Sequence, residues 1–398
     1  MRLSFDEQTE AFRAEFSAWL DENVPEEATA LAERSRSTAH IPDWARDWQR
    51  KLFEAGWLVP GNPPGYGGRD ASLLEVFVHQ EELGRRKIYP SYNPQGLTII
   101  APSLLVFGTE EQKQRWAVPL LRGDLTAALG MSEPDAGSDL AGLRTRAVLD
   151  GEHFVVDGQK VWTSGAHDAD FILAFVRTDP DAPKHKGLSC IVVPTDSPAL
   201  TRRPFGSIVG QDDLDFNEVF FDGVEVPAET LIGGLNEGWK VANGSLGHER
   251  AMLWLGFAER FDDLISQGGA ELVARGLDED PLVLDWFGNV VVDAHALRLL
   301  GYRTLAKARR GVEATEQSIL KLFGSEGNQA AALHMLDALG PDGLDPDRPR
   351  AALNPLHSEW LTASWWERYL RSFAGTIAGG TSQIQRNIIA ERVLGLPR

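Results

Sequence analysis

The chain has 398 residues, with 39 basic against 58 acidic side chains and a formal charge of −19. Hydrophobic residues make up 43%, ample for a buried core, and the 39 Gly and 22 Pro follow no repeat, which argues against collagen and long disorder. At roughly 150 residues per domain the length predicts two or three domains. The acidic balance works against general nucleic-acid binding, since phosphate contacts need clustered Lys and Arg. Cys190 stands alone and cannot make an internal disulfide, a CxxC pair or a thiolate zinc cluster. It reads as a buried residue of the run Ser189-Cys190-Ile191-Val192-Val193. The start, Met-Arg-Leu-Ser-Phe-Asp-Glu, lacks the apolar core of a signal peptide, and no run of about 18 apolar residues suggests a membrane span. The expectation is a cytoplasmic multi-domain protein.

Residues 1–122 read as a helical domain. Phe12, Phe16 and Leu20, spaced four apart, share one helical face. Gly61 to Gly68 is a Gly/Pro loop, and residues 72–86 form another helix. Thr109 is a helix N-cap with Gln112 at the third position after it. Residues 123–235 carry short β-rich runs, such as 154–156, 171–176, 190–193 and 219–221, and predict a small barrel or sandwich. Asp150-Gly151, Asp157-Gly158 and Asp222-Gly223 are expected at tight turns. Residues 236–398 return to helices: Val290, Val291, Ala294, Leu297 and Leu300 make an apolar stripe, and a last helix carries Ile384, Ile388, Ile389 and Val393. Residues 341–354 are expected as a loop between helices. The fold class is α+β and mostly α.

No GxGxxG follows a strand, and no GxxxxGK[ST], HExxH or GxSxG occurs. Three segments stand out. Met131-Ser132-Glu133-Pro134-Asp135-Ala136-Gly137-Ser138-Asp139 offers hydroxyls, a glycine and backbone N–H groups suited to a phosphate or a flavin edge, and equally suits an ordinary polar loop. Gly158-Gln159-Lys160-Val161-Trp162-Thr163-Ser164-Gly165 supplies a flat apolar face and a hydroxyl, or simply a strand with a packed Trp. In Ile377-Ala378-Gly379-Gly380-Thr381-Ser382-Gln383-Ile384-Gln385-Arg386, two glycines permit close approach, and Thr381 caps the helix that follows.

Together these segments resemble the flavin-dependent acyl-CoA dehydrogenase family, matching its patterns T-E-P-x-A-G-S-D, K-x-W-I-T-N and G-T-S-Q-I-Q-R over essentially the whole chain. The resemblance implies an N-terminal helical domain, a middle β-barrel domain and a C-terminal four-helix bundle, with FAD held between the last two. It implies that Met131 and Ser132 contact the flavin ring and that Trp162 and Thr163 lie along its far face. Ser164 takes the place of the family's threonine near flavin N5. Ser138 would sit near the FAD pyrophosphate or the substrate's pantetheine arm, and Thr381 and Gln383 would hold the ADP portion.

Most members place the base, a Glu, immediately before Gly-Thr-Ser-Gln; here that position is Gly379. Some branches instead carry it on the first long helix of the C-terminal domain, directly before an Arg, and this chain reads Gly247-His248-Glu249-Arg250 there. Glu249 is thus implied as the relocated base, with Arg250 and the Gly379 N–H on the substrate side. The family's Arg-x-x-Phe-Gly segment is also altered: near Phe287-Gly288, Leu284 stands where Arg is expected, and the usual Leu-Gly-Gly appears as Leu339-Gly340-Pro341. Such losses resemble actinobacterial steroid-CoA-type members, several of which form mixed tetramers. The implied activity is dehydrogenation of an acyl-CoA to a trans-2-enoyl-CoA, with electrons leaving to an electron-transfer flavoprotein and the chain in a homo- or hetero-oligomer. The alternatives are a half-site subunit of a mixed tetramer, or a flavin monooxygenase or oxidase on the same fold. Arg202 and Arg203 are candidates for a CoA phosphate contact.

Overall fold

The computed structural model describes residues 5–26, 35–209, 214–251, 253–312, 317–345 and 364–397, with the backbone alone described at 246–251 and 253. The chain divides into two compact units, one built from residues 1–23, 72–89 and 250–398, the other from residues 24–71 and 90–249. The helices of the first hundred residues are therefore shared between the two units.

In the first unit, helix Glu7–Asn23 starts on Asp6, whose Oδ1 accepts from the Thr9 N–H at 2.9 Å. Its i, i+4 stripe buries Phe16 and Leu20 completely, while Phe12 is only partly buried. Helix Leu73–Arg86 packs beside it and begins with a capping box between Ser72 and Glu75. Its Phe77 stacks on Trp254 of helix Leu253–Asp263, with ring centroids 5.8 Å apart. Each such fully buried aromatic stabilises the unit by roughly 2–3 kcal/mol. The long helices Pro281–Arg309, Gln317–Leu339 and Trp365–Ile377 complete this core. The expected stripe on Pro281–Arg309 holds for Val290, Ala294 and Leu297, but Val291 is 42% exposed. Val291 follows Val290 by one residue, about 100° around the helix, and falls off the buried face. The expected loop after residue 340 begins as a 3₁₀ turn, Gly340–Leu344, and residues 346–354 lie outside the described residues.

The second unit holds one eight-stranded sheet: β1 (Ala127–Gly130), β2 (Arg146–Asp150), β3 (His153–Lys160), β4 (Phe171–Arg177), β5 (Leu188–Pro194), β6 (Leu200–Phe205), β7 (Phe216–Pro227) and β8 (Leu231–Ile232). The order is β6-β7-β3-β2-β4-β5-β8, with β1 parallel to β4. Strands β4 and β5 are buried on both faces, and Cys190 lies fully inside β5, where burial pushes its thiol well up. Asp150-Gly151 makes the expected β2–β3 turn, with Gly151 at φ +60°. The other two Asp-Gly pairs are corrections: neither is a turn. Both lie inside long strands at a bulge, where Val156 pairs with Val224 but Asp157 pairs with Asp222. Gly223 is the extra residue, at φ +66°, and its N–H donates to Asp157 Oδ1 at 2.9 Å. Among the described residues no helix is long and apolar enough to cross a membrane.

Candidate active site

β1 ends at Gly130 and the chain continues through half-buried Met131 and Ser132 into a tight turn closed by Glu133 and Ala136, whose backbones exchange two hydrogen bonds of 3.1 Å. Ser138 lies beyond that turn and is exposed. Beside it, β3 ends at Lys160, and the Val161 N–H donates to the Ser132 carbonyl at 3.0 Å. The structure thus brings the first two sequence segments side by side within one unit.

Trp162 follows in the left-handed region, φ +62°, with 59% of its surface exposed. A non-glycine residue there is uncommon and turns the indole out of the sheet. Phe205 and Phe216 meet that ring edge-on, with centroids at 5.3 and 5.4 Å. Thr163 is completely buried, and its Oγ1 makes no hydrogen bond among the described residues. Ser164 is 9% exposed. Buried Asn217 holds this segment: its Nδ2 donates to the Thr163 carbonyl at 3.1 Å, and the Thr163 N–H donates to the Asn217 main-chain carbonyl at 3.2 Å. Arg202 is not a free cation here, since its Nη1 donates to the carbonyls of Ala166 and His167 at 3.0 and 3.2 Å. Arg203 lies over the Phe220 ring.

The third segment belongs to the other unit. Gly379 and Gly380 take φ +65° and +95°, which breaks the chain between helices Trp365–Ile377 and Ser382–Ile388. Thr381 caps the second helix, accepting from the Ile384 N–H at 3.2 Å. Gln383 is exposed, and Ser382 Oγ is buried without a hydrogen bond among the described residues. Lys321, 3% exposed, donates to the Gly380 carbonyl at 2.8 Å. Glu249 and Arg250 fall on helix Gly238–Ala251, at the division between the two units, and their side chains lie outside the described residues.

Residue types alone did not single out Glu133, Lys160, Asn217 and Lys321, the groups that hold these segments. One signal was available for Lys160: it shares the inward parity of Phe154 and Val156 on β3.

Each orphaned hydroxyl, Thr163 Oγ1 and Ser382 Oγ, sits in a segment singled out for cofactor contact, and the exposed Trp162 face lies beside the first. Buried hydroxyls are normally partnered, and each of these two, taken within its own unit, fits a polar cofactor group that supplies the missing contact. The exposed Trp162 face and the Thr163 hydroxyl, in one unit, suit a flat ring with a polar edge.

Sequence profiles of the acyl-CoA dehydrogenase N-terminal, middle and C-terminal domains match residues 6–124, 128–224 and 236–394. Acyl-CoA dehydrogenase IpdE1 of Mycobacterium tuberculosis is 33% identical over 401 residues, covering 98% of this chain and 99% of that protein. The solved Tcur3481-Tcur3483 steroid ACAD superposes with a TM-score of 0.81 at 31% identity, over 100% of both chains. The ChsE4-ChsE5 complex from Mycobacterium tuberculosis gives 0.77 at 30%, again over 100% of both. Family members are FAD flavoproteins. The helical, sheet-containing and helical regions in this order, the three motifs and these full-length matches together show that the chain belongs to the acyl-CoA dehydrogenase family.

Proposed function

We propose that the chain dehydrogenates an acyl-CoA thioester to the trans-2-enoyl-CoA, with Glu249 as the base. The supporting observation is the backbone at Gly379. It lies in the left-handed region at φ +65°, where a glutamate would be strained, so the loop carries no base. Glu249 then remains as the carboxylate in the register of the family's other arrangement.

Bound FAD supplies the acceptor for the β-hydride at N5. Met131, Ser132, Trp162, Thr163 and Ser164 would hold the ring system, and Thr381 and Gln383 the ADP portion. Ser138 would lie near the pyrophosphate or the pantetheine arm. The Gly379 N–H would donate to the thioester carbonyl, and the charge drawn onto that oxygen makes the α-proton acidic. A Glu249 carboxylate oxygen then takes the α-proton, with Arg250 beside the substrate. Electrons would pass to an electron-transfer flavoprotein. Gly379 and Ala378 bring little volume to the site, which suits a bulky, branched or polycyclic acyl group.

Anaerobic titration of the flavin-loaded protein with straight, branched and steroid-derived CoA thioesters tests this. Bleaching of the flavin band by at least one thioester is expected; no bleaching by any would overturn it. The second reading, a half-site subunit of a mixed assembly, is favoured by Leu284, 54% exposed where the family's pattern calls for Arg. A chain that is colourless and inactive until a partner chain is added would select that reading.

A further inference from the structure

β3 ends on a lysine that never meets water. Lys160 is 0% exposed; its Nζ donates to Glu133 Oε1 at 2.8 Å and to the Met131 carbonyl at 3.1 Å. Glu133 is itself buried and accepts two further bonds, from the Thr145 N–H at 2.9 Å and the Arg144 N–H at 2.6 Å. One residue along, Val161 bonds to Ser132. Thr145 Oγ1 donates to the Gln159 carbonyl at 3.2 Å, and Gly158 has no room for a side chain, since a Cβ there would lie 2.7 Å from Thr145 Cα. Residues 131–133, 144–145 and 158–161 are thus drawn together around one ion pair.

Removing an ammonium and a carboxylate from water costs more than a surface pair returns, and an apolar pair of similar volume would pack as well. What an apolar pair would not do is hold the Met131 carbonyl and two backbone N–H groups at fixed distances. We propose that Glu133 and Lys160 are positioning residues for the flavin: their ion pair sets the spacing between the Met131-Ser132 backbone and the Trp162-Thr163-Ser164 segment. This rests on the flavin site proposed above. Thr163 Oγ1, three residues past Lys160 and without a partner among the described residues, is the group whose placement depends on it.

The pair is also pH-sensitive. Burial pushes Lys160 down to about 8, against the pull of Glu133. Burial works to raise Glu133, but the Lys160 charge and the hydrogen bonds it accepts overrule that and hold it below the usual carboxylate range. The other charged neighbours are Arg177 of β4, which feels Glu133 while donating to the Ala141 and Leu143 carbonyls, and Arg144, whose side chain is exposed and leans toward Asp135. The clamp is therefore closed below about pH 8 and loosens above it as Lys160 loses its proton.

The test compares wild type, Lys160→Met and Glu133→Gln, each reconstituted with FAD. FAD affinity and the visible circular dichroism of bound flavin are measured at pH 7 and pH 9.5, with far-UV dichroism reporting the fold. Wild-type affinity should fall about tenfold between the two pH values. Lys160→Met should bind about tenfold more weakly at pH 7, with a changed flavin dichroism and a flat pH response. Glu133→Gln should show the same changes more mildly. Folded variants with wild-type affinity, dichroism and pH response would overturn the proposal. So would loss of folding in both variants, which would assign the pair to structure alone. A wild-type chain that takes up no FAD would instead overturn the flavin site, and the clamp with it.

Discussion

Asn217 and Thr163 are joined twice: the Asn217 side-chain amide donates to the Thr163 carbonyl at 3.1 Å, and the Thr163 N–H donates back to the Asn217 main-chain carbonyl at 3.2 Å. Asn217 is fully buried near the start of β7, and its amide also faces His167 Nδ1 at 3.0 Å. One residue, through its side chain and its main chain together, therefore holds the segment that follows Trp162. Asn217→Ala keeps the main-chain bond but leaves the Thr163 and Asp215 carbonyls without the donor they share in the interior, which costs about 2 kcal/mol. Urea denaturation should show a lowered midpoint with an unchanged m-value, and FAD affinity should fall with it.

Glu249→Gln removes the proposed base while keeping size and hydrogen-bonding capacity. Turnover with the best CoA thioester should fall about a thousandfold, within the range typical of general bases, while FAD is retained. Near-full turnover in a flavin-loaded variant would remove Glu249 from the mechanism.

Glu259 predicts a pH effect on stability. Its carboxylate lies over the backbone of Gly84, where a Cβ would come within 1.8 Å of Oε1. Burial pushes it up to about 7, with Asp262 and Asp263 adding to the rise and Arg260 opposing it. Because the folded chain holds this proton more tightly than the unfolded one, the contribution is fully present below about pH 4.5 and lost as pH rises through 7. Glu259→Gln should then change stability by under about 1 kcal/mol near pH 5 and raise it at pH 8, by up to about 3 kcal/mol. Melting curves at the two pH values check this.

Gly379→Ala places a side chain at φ +65°, a region that costs an L residue about 1–2 kcal/mol. The melting temperature should fall accordingly. Gly→Ala at an exposed helical position, such as Gly288, serves as the control and should not be destabilising.

Local features were readable from the residues because short-range sterics and hydrogen bonding govern them. Thr109 caps its helix in a capping box with Gln112 as the spacing implies, and the i, i+4 stripe of the first helix buries Phe16 and Leu20. The order of helical, β and helical regions, and the three motifs, were equally legible. The strand parity of Lys160 even pointed inward.

Pairing across long stretches of chain was decided only in three dimensions. Gly158 and Gly223 carry the same Asp-Gly signal as Gly151, yet they meet at a bulge because β3 and β7 run past each other there. The early helices join two different units. Parity told which side of the sheet Lys160 occupies, but that Glu133 waits there, 27 positions away in sequence, depends on how β1 and β3 are brought together. Periodicity specifies a face, and only the packed chain specifies what lies against it.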